Sequence, residues 1–129
     1  MWLAWLKLFG IFAFNLTVLT GIIYWSTLKA ETLAVFGMRF RNIHTFWAGF
    51  ILCLLPVYAA INYCFYYAYW YGYKKVFPLQ MWRVIETQWL ASLLVTLLMT
   101  WLFFHELPTK NGVVAIFFLF GALVAIVWK

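Results

Sequence analysis

The chain has 129 residues, of which 68% are apolar, 24% aromatic and 9% charged, with a formal net charge of +6. A soluble domain carries about 25% charged residues, so a water-facing surface is excluded and most of this surface must meet lipid. The basic residues stand singly or in pairs between apolar runs, a pattern of membrane anchors and topology signals that argues against a nucleic-acid partner.

A membrane-spanning helix needs about 20 mostly apolar residues. The first apolar run predicts a helix over 8–28. Its length, and the absence of a small-x-small pattern at Leu28-Lys29-Ala30, mark a retained helix in place of a cleaved leader. The stretch 29–42 holds Lys29, Glu31, Arg39 and Arg41 and predicts a polar loop. The second run predicts a helix over 45–73, long enough that it should tilt or bend near Pro56. Lys74 and Lys75 close it, and Tyr67, Trp70, Tyr71 and Tyr73 suit the headgroup level. The third run begins at Pro78, a good first-turn residue, and predicts a helix over 78–104. A tight turn follows from His105 to Lys110, and the fourth run predicts a helix over 111–128. The expected architecture is therefore all-α: one polytopic domain over 1–129 with four transmembrane helices. Cys53 and Cys64 are about 16 Å apart along a helix, too far for a disulfide, and read as small buried apolar residues.

Four crossings place Lys7, Lys74, Lys75 and Lys129 on one side, with Arg83 if it reaches back, against Lys29, Arg39, Arg41 and Lys110 on the other. The near balance gives no orientation by positive charge. Either other signals fix the orientation, or the chain inserts both ways and pairs antiparallel with itself.

Charges inside a membrane helix are costly and mark a partner or cavity. Arg83 and Glu86 share a face of the third helix at i and i+3. They form either a self-neutralising pair with Arg83 reaching the headgroups, or a site in which Arg83 holds an anionic group such as phosphate and Glu86 balances it or carries a proton. On the second helix Tyr58, Asn62, Tyr66, Tyr69 and Tyr73 recur at steps of three and four. That stripe should face the bundle, as interhelical hydrogen bonding or as a site wall. Asn15 on the first helix has the same two readings. Gly112, Ala115, Gly121, Ala122 and Ala125 make the fourth helix a packing or dimer element. His44 and His105 lack companions at metal spacing. No phosphate-cradling loop, nucleophile elbow or triad is present, so neither a metal, a cofactor nor an enzyme activity is expected.

Lys75-Val76-Phe77-Pro78-Leu79 follows an aromatic second helix, Phe103-Phe104-His105-Glu106-Leu107-Pro108 ends the third, and Gly112 and Gly121 punctuate the fourth. In this order and spacing, over about 58–128, the chain resembles the small multidrug resistance proteins and the wider drug/metabolite transporter superfamily. The resemblance implies a bacterial inner-membrane protein that pairs with a second copy or a paralogue. Helices one to three would line the substrate chamber and helix four would make the dimer. Where drug-exporting members carry an essential Glu in helix one, this chain has Asn15, and Arg83 and Glu86 stand where those members carry Tyr and an aromatic. The chain thus looks more like the lipid-sugar flippase branch, whose substrates carry a phosphate on a polyprenyl chain. On that basis the expected function is transport of an amphipathic, phosphate-bearing, lipid-linked molecule by alternating access. The candidate substrate-binding residues are Asn15, Tyr58, Asn62, Tyr66, Arg83 and Glu86. The alternatives are a proton-coupled exporter of hydrophobic cations, with Glu86 as the coupling carboxylate, and a non-transporting subunit of a larger membrane complex.

Overall fold

The structure is a computed structural model that describes residues 2–127; the expected end of the fourth helix at Trp128, and Lys129, lie outside them. Its order is α1 (Trp2–Ala30), β1 (Ala34–Val35), β2 (Met38–Arg39), α2 (Ile43–Cys53), α3 (Leu55–Tyr71), a π-helical turn (Gly72–Val76), α4 (Met81–Phe104) and α5 (Lys110–Val127).

α1 and α4 are each long and apolar enough to cross a membrane. The second run is broken. Leu54 leaves helical geometry at φ −98° and ψ 6°, and the axes on either side differ by 63°. Pro56, two residues on, offers no N–H, and its ring conflicts with the carbonyl one turn back. The expected bend is therefore present, at a full break between α2 and α3. Counting this bent pair as one span gives three crossings. A fourth crossing is not shown: α5 is 18 residues long, and the stretch of it described side chain by side chain, Lys110–Ala122, is shorter than a span.

α1 begins six residues before its expected start, since Trp2, Leu3, Ala4, Trp5 and Leu6 continue the apolar run and Lys7 sits exposed on its side without ending it. α4 begins at Met81, later than expected: Leu79 has φ 62° and Gln80 is non-helical, so Pro78 stands outside the helix.

The stretch expected to be a loop contains a minimal hairpin, with Ala34 opposite Arg39 and Val35 opposite Met38. Phe36 and Gly37, at φ 52° and 77°, supply the two positive φ angles that a two-residue hairpin turn requires. Asn42 then caps α2: its Oδ1 accepts from Thr45 N–H at 2.9 Å, and Thr45 Oγ1 accepts from Asn42 N–H at 3.3 Å. Val35, Phe46 and Phe50 are buried together against Ile22, Trp25 and Ala30. Hairpin and α2 thus pack on the last turns of α1.

The second cluster holds the bundle together. Leu8 and Phe12 of α1, Ala68 of α3, Val76 and Phe77, and Val84 and Ala91 of α4 are all buried in it. Leu8 and Val84 meet around Gly72, where a Cβ would lie 2.7 Å from Val84 Cγ1 and 3.1 Å from Leu8 Cδ2. Farther along, Tyr24 Oη and Thr100 Oγ1 are hydrogen-bonded at 2.9 Å. The contacts run in the same order on both helices, so α1 and α4 are parallel. Phe12 meets Phe65 and Tyr69 while Lys7 lies over the Tyr71 ring, so α3 runs antiparallel beside α1. Lys7, Lys74, Lys75 and Arg83 consequently gather at one end of the bundle. Lys29, the hairpin, His44 and His105 lie at the other. α5 packs on α4 and exposes Val113, Val114, Phe117, Phe118 and Leu119.

Candidate functional site

Arg83 and Glu86 occupy the first turns of α4, but they do not pair. Glu86 is 1% exposed, its Oε2 has no hydrogen-bond partner, and it makes no ion pair among the described residues. Arg83 is half-buried, with its guanidinium carbon 5.6 Å from the centre of the Phe77 ring. A cation over an aromatic face is stabilised by the ring quadrupole, and this contact holds Arg83 toward the end of the bundle while Glu86 turns inward. Glu86 is two residues from Val84, about 160° around the helix from it. It therefore does not share the Val84–Ala91 side that joins the main core.

Asn15 is equally enclosed, at 1% exposure, with Nδ2 unpartnered. The third such atom among the described residues is Trp5 Nε1, whose ring stacks on Phe9 at 5.5 Å. Buried polar atoms are nearly always hydrogen-bonded, so Asn15 and Glu86 stand out in a lipid-embedded bundle.

The tyrosine stripe of α3 needs correction. Tyr58 is half-buried, but Asn62 is exposed and bonds only back to Tyr58 O at 3.0 Å, and Tyr66 is 78% exposed. The stripe does form one face, but not the inward one. The inward face runs through Ile61, Phe65, Ala68 and Gly72, and the stripe is centred about 90° around the helix from it. Tyr69 stays near that face, and its hydroxyl bonds Gln88 Oε1 on α4. Gln88, not among the residues the sequence singled out, thus ties α3 to α4. No periodicity signal could have paired it with Tyr69, because the pair depends on how two helices pack.

Asn15 lies instead in the wall of an open groove of about 390 Å³ between α1 and α3, with Lys7, Gly10 and Phe14 on one side and Tyr63 and Tyr67 on the other. Neither Arg83 nor Glu86 lines it. The candidate residues therefore divide: Asn15 in the groove wall, Tyr58 at the edge of the bundle, Asn62 and Tyr66 on the outer face, Arg83 at one end and Glu86 inside. Cys64 also borders the groove, while Cys53 is exposed at the end of α2, where the break at Leu54 leaves it uncovered. Among the described residues no three His, Cys, Asp or Glu side chains gather to hold a metal.

Chemically, the arrangement offers a carboxyl group enclosed in the bundle, an enclosed amide, and cations at one end. Such groups can hold or pass charge within lipid. Comparison with protein-family models, curated proteins and solved structures gives no match.

Proposed function

We propose that the protein is a small membrane transporter that moves an amphipathic, phosphate-bearing molecule across the bilayer by alternating access. In this reading the chain crosses the membrane four times in a bacterial inner membrane, and α5 joins it to a second copy or a paralogue. The observation that carries the reading is Glu86: a carboxyl group within the membrane, 1% exposed, with Oε2 unpartnered and no ion pair among the described residues. Ionisable groups in membrane spans mark substrate or ion pathways, because a purely structural position would be filled by an apolar residue. Arg83, held over Phe77 at the end of the bundle, is the cation suited to meeting a phosphate as it arrives.

The test is flux of a lipid-linked phosphate in proteoliposomes. Arg83→Ala abolishes flux while folding and dimerisation stay intact; unchanged flux would reduce Arg83 to a headgroup anchor. Glu86, which makes no ion pair among the described residues and leaves Oε2 unpartnered, also favours an exporter of cations as a second reading. Proton release on adding a hydrophobic cation, lost in Glu86→Gln, selects that reading over the first. A subunit role is favoured by the apolar face of α5. Co-purification with one stoichiometric partner, and no oligomer alone, selects it.

A further inference from the structure

We propose that the groove between α1 and α3 holds one hydrocarbon chain of an anionic lipid, with Lys7 taking the lipid's phosphate. The inference deepens the transport reading by naming where its substrate rests, and it is tested by binding, apart from flux.

The groove exists because Gly10 lacks a side chain: a Cβ built there meets nothing within 4 Å. Phe14, Tyr63 and Tyr67 continue its walls. Its volume, about 390 Å³, lies at the low end of the roughly 300–1,000 Å³ of ligand sites, enough for part of a lipid and too little for a whole one. It opens sideways from the spanning helices, so what it meets is the bilayer. A bare apolar groove would take any chain. Two features make this one selective.

The first is charge. Lys7 borders the groove at the end where Lys74, Lys75 and Arg83 also lie, and its ammonium is 5.1 Å from the Tyr71 ring centre. Among the described residues that end carries no carboxylate outside the enclosed Glu86, since Glu31 and Glu106 belong to the opposite end. An anionic head is therefore the complementary one. The second is reach. Asn15, at the far end of the groove, lies eight residues beyond Lys7, about 12 Å deeper, close to the middle of a hydrocarbon layer about 30 Å thick. Its amide is covered, at 1% exposure, so the groove presents apolar walls between those two ends. One acyl chain seated there runs from the headgroup level at Lys7 to the centre of the bilayer.

The experiment uses the full chain in nanodiscs of phosphatidylcholine, with a trace of a phosphatidate bearing a photoreactive group on one acyl chain. Crosslinks concentrate on Phe14, Tyr63 and Tyr67. Gly10→Leu fills the groove and lowers them about tenfold, with circular dichroism and melting unchanged. Gly121→Leu, at another position where a Cβ meets nothing within 4 Å, leaves them as they were. Should Gly10→Leu not fold, Cys64→Leu fills the same groove from α3 and is read the same way. Lys7→Gln reduces the preference for phosphatidate over a photoreactive phosphatidylcholine about fivefold. Crosslinks spread evenly over α4 and α5, or unchanged by filling the groove, or a headgroup preference unmoved in Lys7→Gln, would overturn the proposal. Displacement by inorganic phosphate alone would also overturn it, because the chain would then contribute nothing. Flux that persists after binding is lost refutes the groove and spares transport. Binding without any flux in the wild type does the reverse.

Discussion

Replacing Glu86 with Met separates a functional carboxyl group from a structural one. Glu86 is 1% exposed, Oε2 is unpartnered, and no cation pairs with it among the described residues. A buried polar atom without a partner costs about 1–3 kcal/mol, and more when charged. Met has a similar reach, adapts to irregular surroundings and carries no such penalty. The packing around it, with Leu90 buried one turn further on the same side, stays filled. Glu86→Met is therefore expected to stabilise the protein by about 1–3 kcal/mol. For a chain of this length that is a rise in melting temperature of about 3–4 °C per kcal/mol, read by a thermal scan in detergent. Glu86→Gln, which keeps the polar atoms and removes the charge, falls between Met and the wild type. Both variants lose flux in proteoliposomes. A stable variant without activity is the signature of a residue retained for function at a cost in stability. The reasoning fails if Glu86→Met lowers the melting temperature, because the carboxyl group would then be holding the bundle together.

Two further outcomes test the packing. Gly72→Ala places a methyl group 2.7 Å from Val84 Cγ1 and 2.9 Å from Cγ2, an overpacking cost of about 1–3 kcal/mol. Adding Val84→Ala returns part of it, so a double-mutant cycle in a denaturation assay reads a coupling of about 1 kcal/mol or more; additive effects would show that the π-turn does not press on α4. Tyr69→Phe removes the bond to Gln88 and costs about 0.6–2 kcal/mol. Gln88→Leu in the same background costs little more, and a full second loss would place Gln88 in some other contact.

Much of this fold follows from hydrophobic runs, because in lipid a long apolar segment has few alternatives to a helix. What the runs do not carry is anything decided between segments. Pro56 announces a bend, but only the seating of Phe46 and Phe50 on the hairpin and the end of α1 determines that the bend becomes a break. The hairpin has its own local signals, Phe36-Gly37 and the capping Asn42, which a charge-based reading of residues 29–42 passes over. The spacing of Arg83 and Glu86 is compatible with a pair, yet Phe77 lies outside the helix within reach and takes the cation. The α3 stripe is a true face, but Ile61, Phe65, Ala68 and Gly72 repeat at the same steps about 90° away, and only packing decides which face turns inward. The groove is the least legible feature. Gly10 looks like any helical glycine until α3 is laid beside it.

The seam between α4 and α5 has a consequence for assembly. α5 has one substantial neighbour, joined to it by the short link at His105, which turns with φ 53°, and Pro108. Among the described residues, the two buried clusters are built from α1 to α4 and the segments that join them. Two chains could therefore trade their last helices without disturbing either interior, each rebuilding the same seam with the borrowed element. Shortening the link would favour such an intertwined pair, and a disulfide bonding α4 to α5 across subunits would report it.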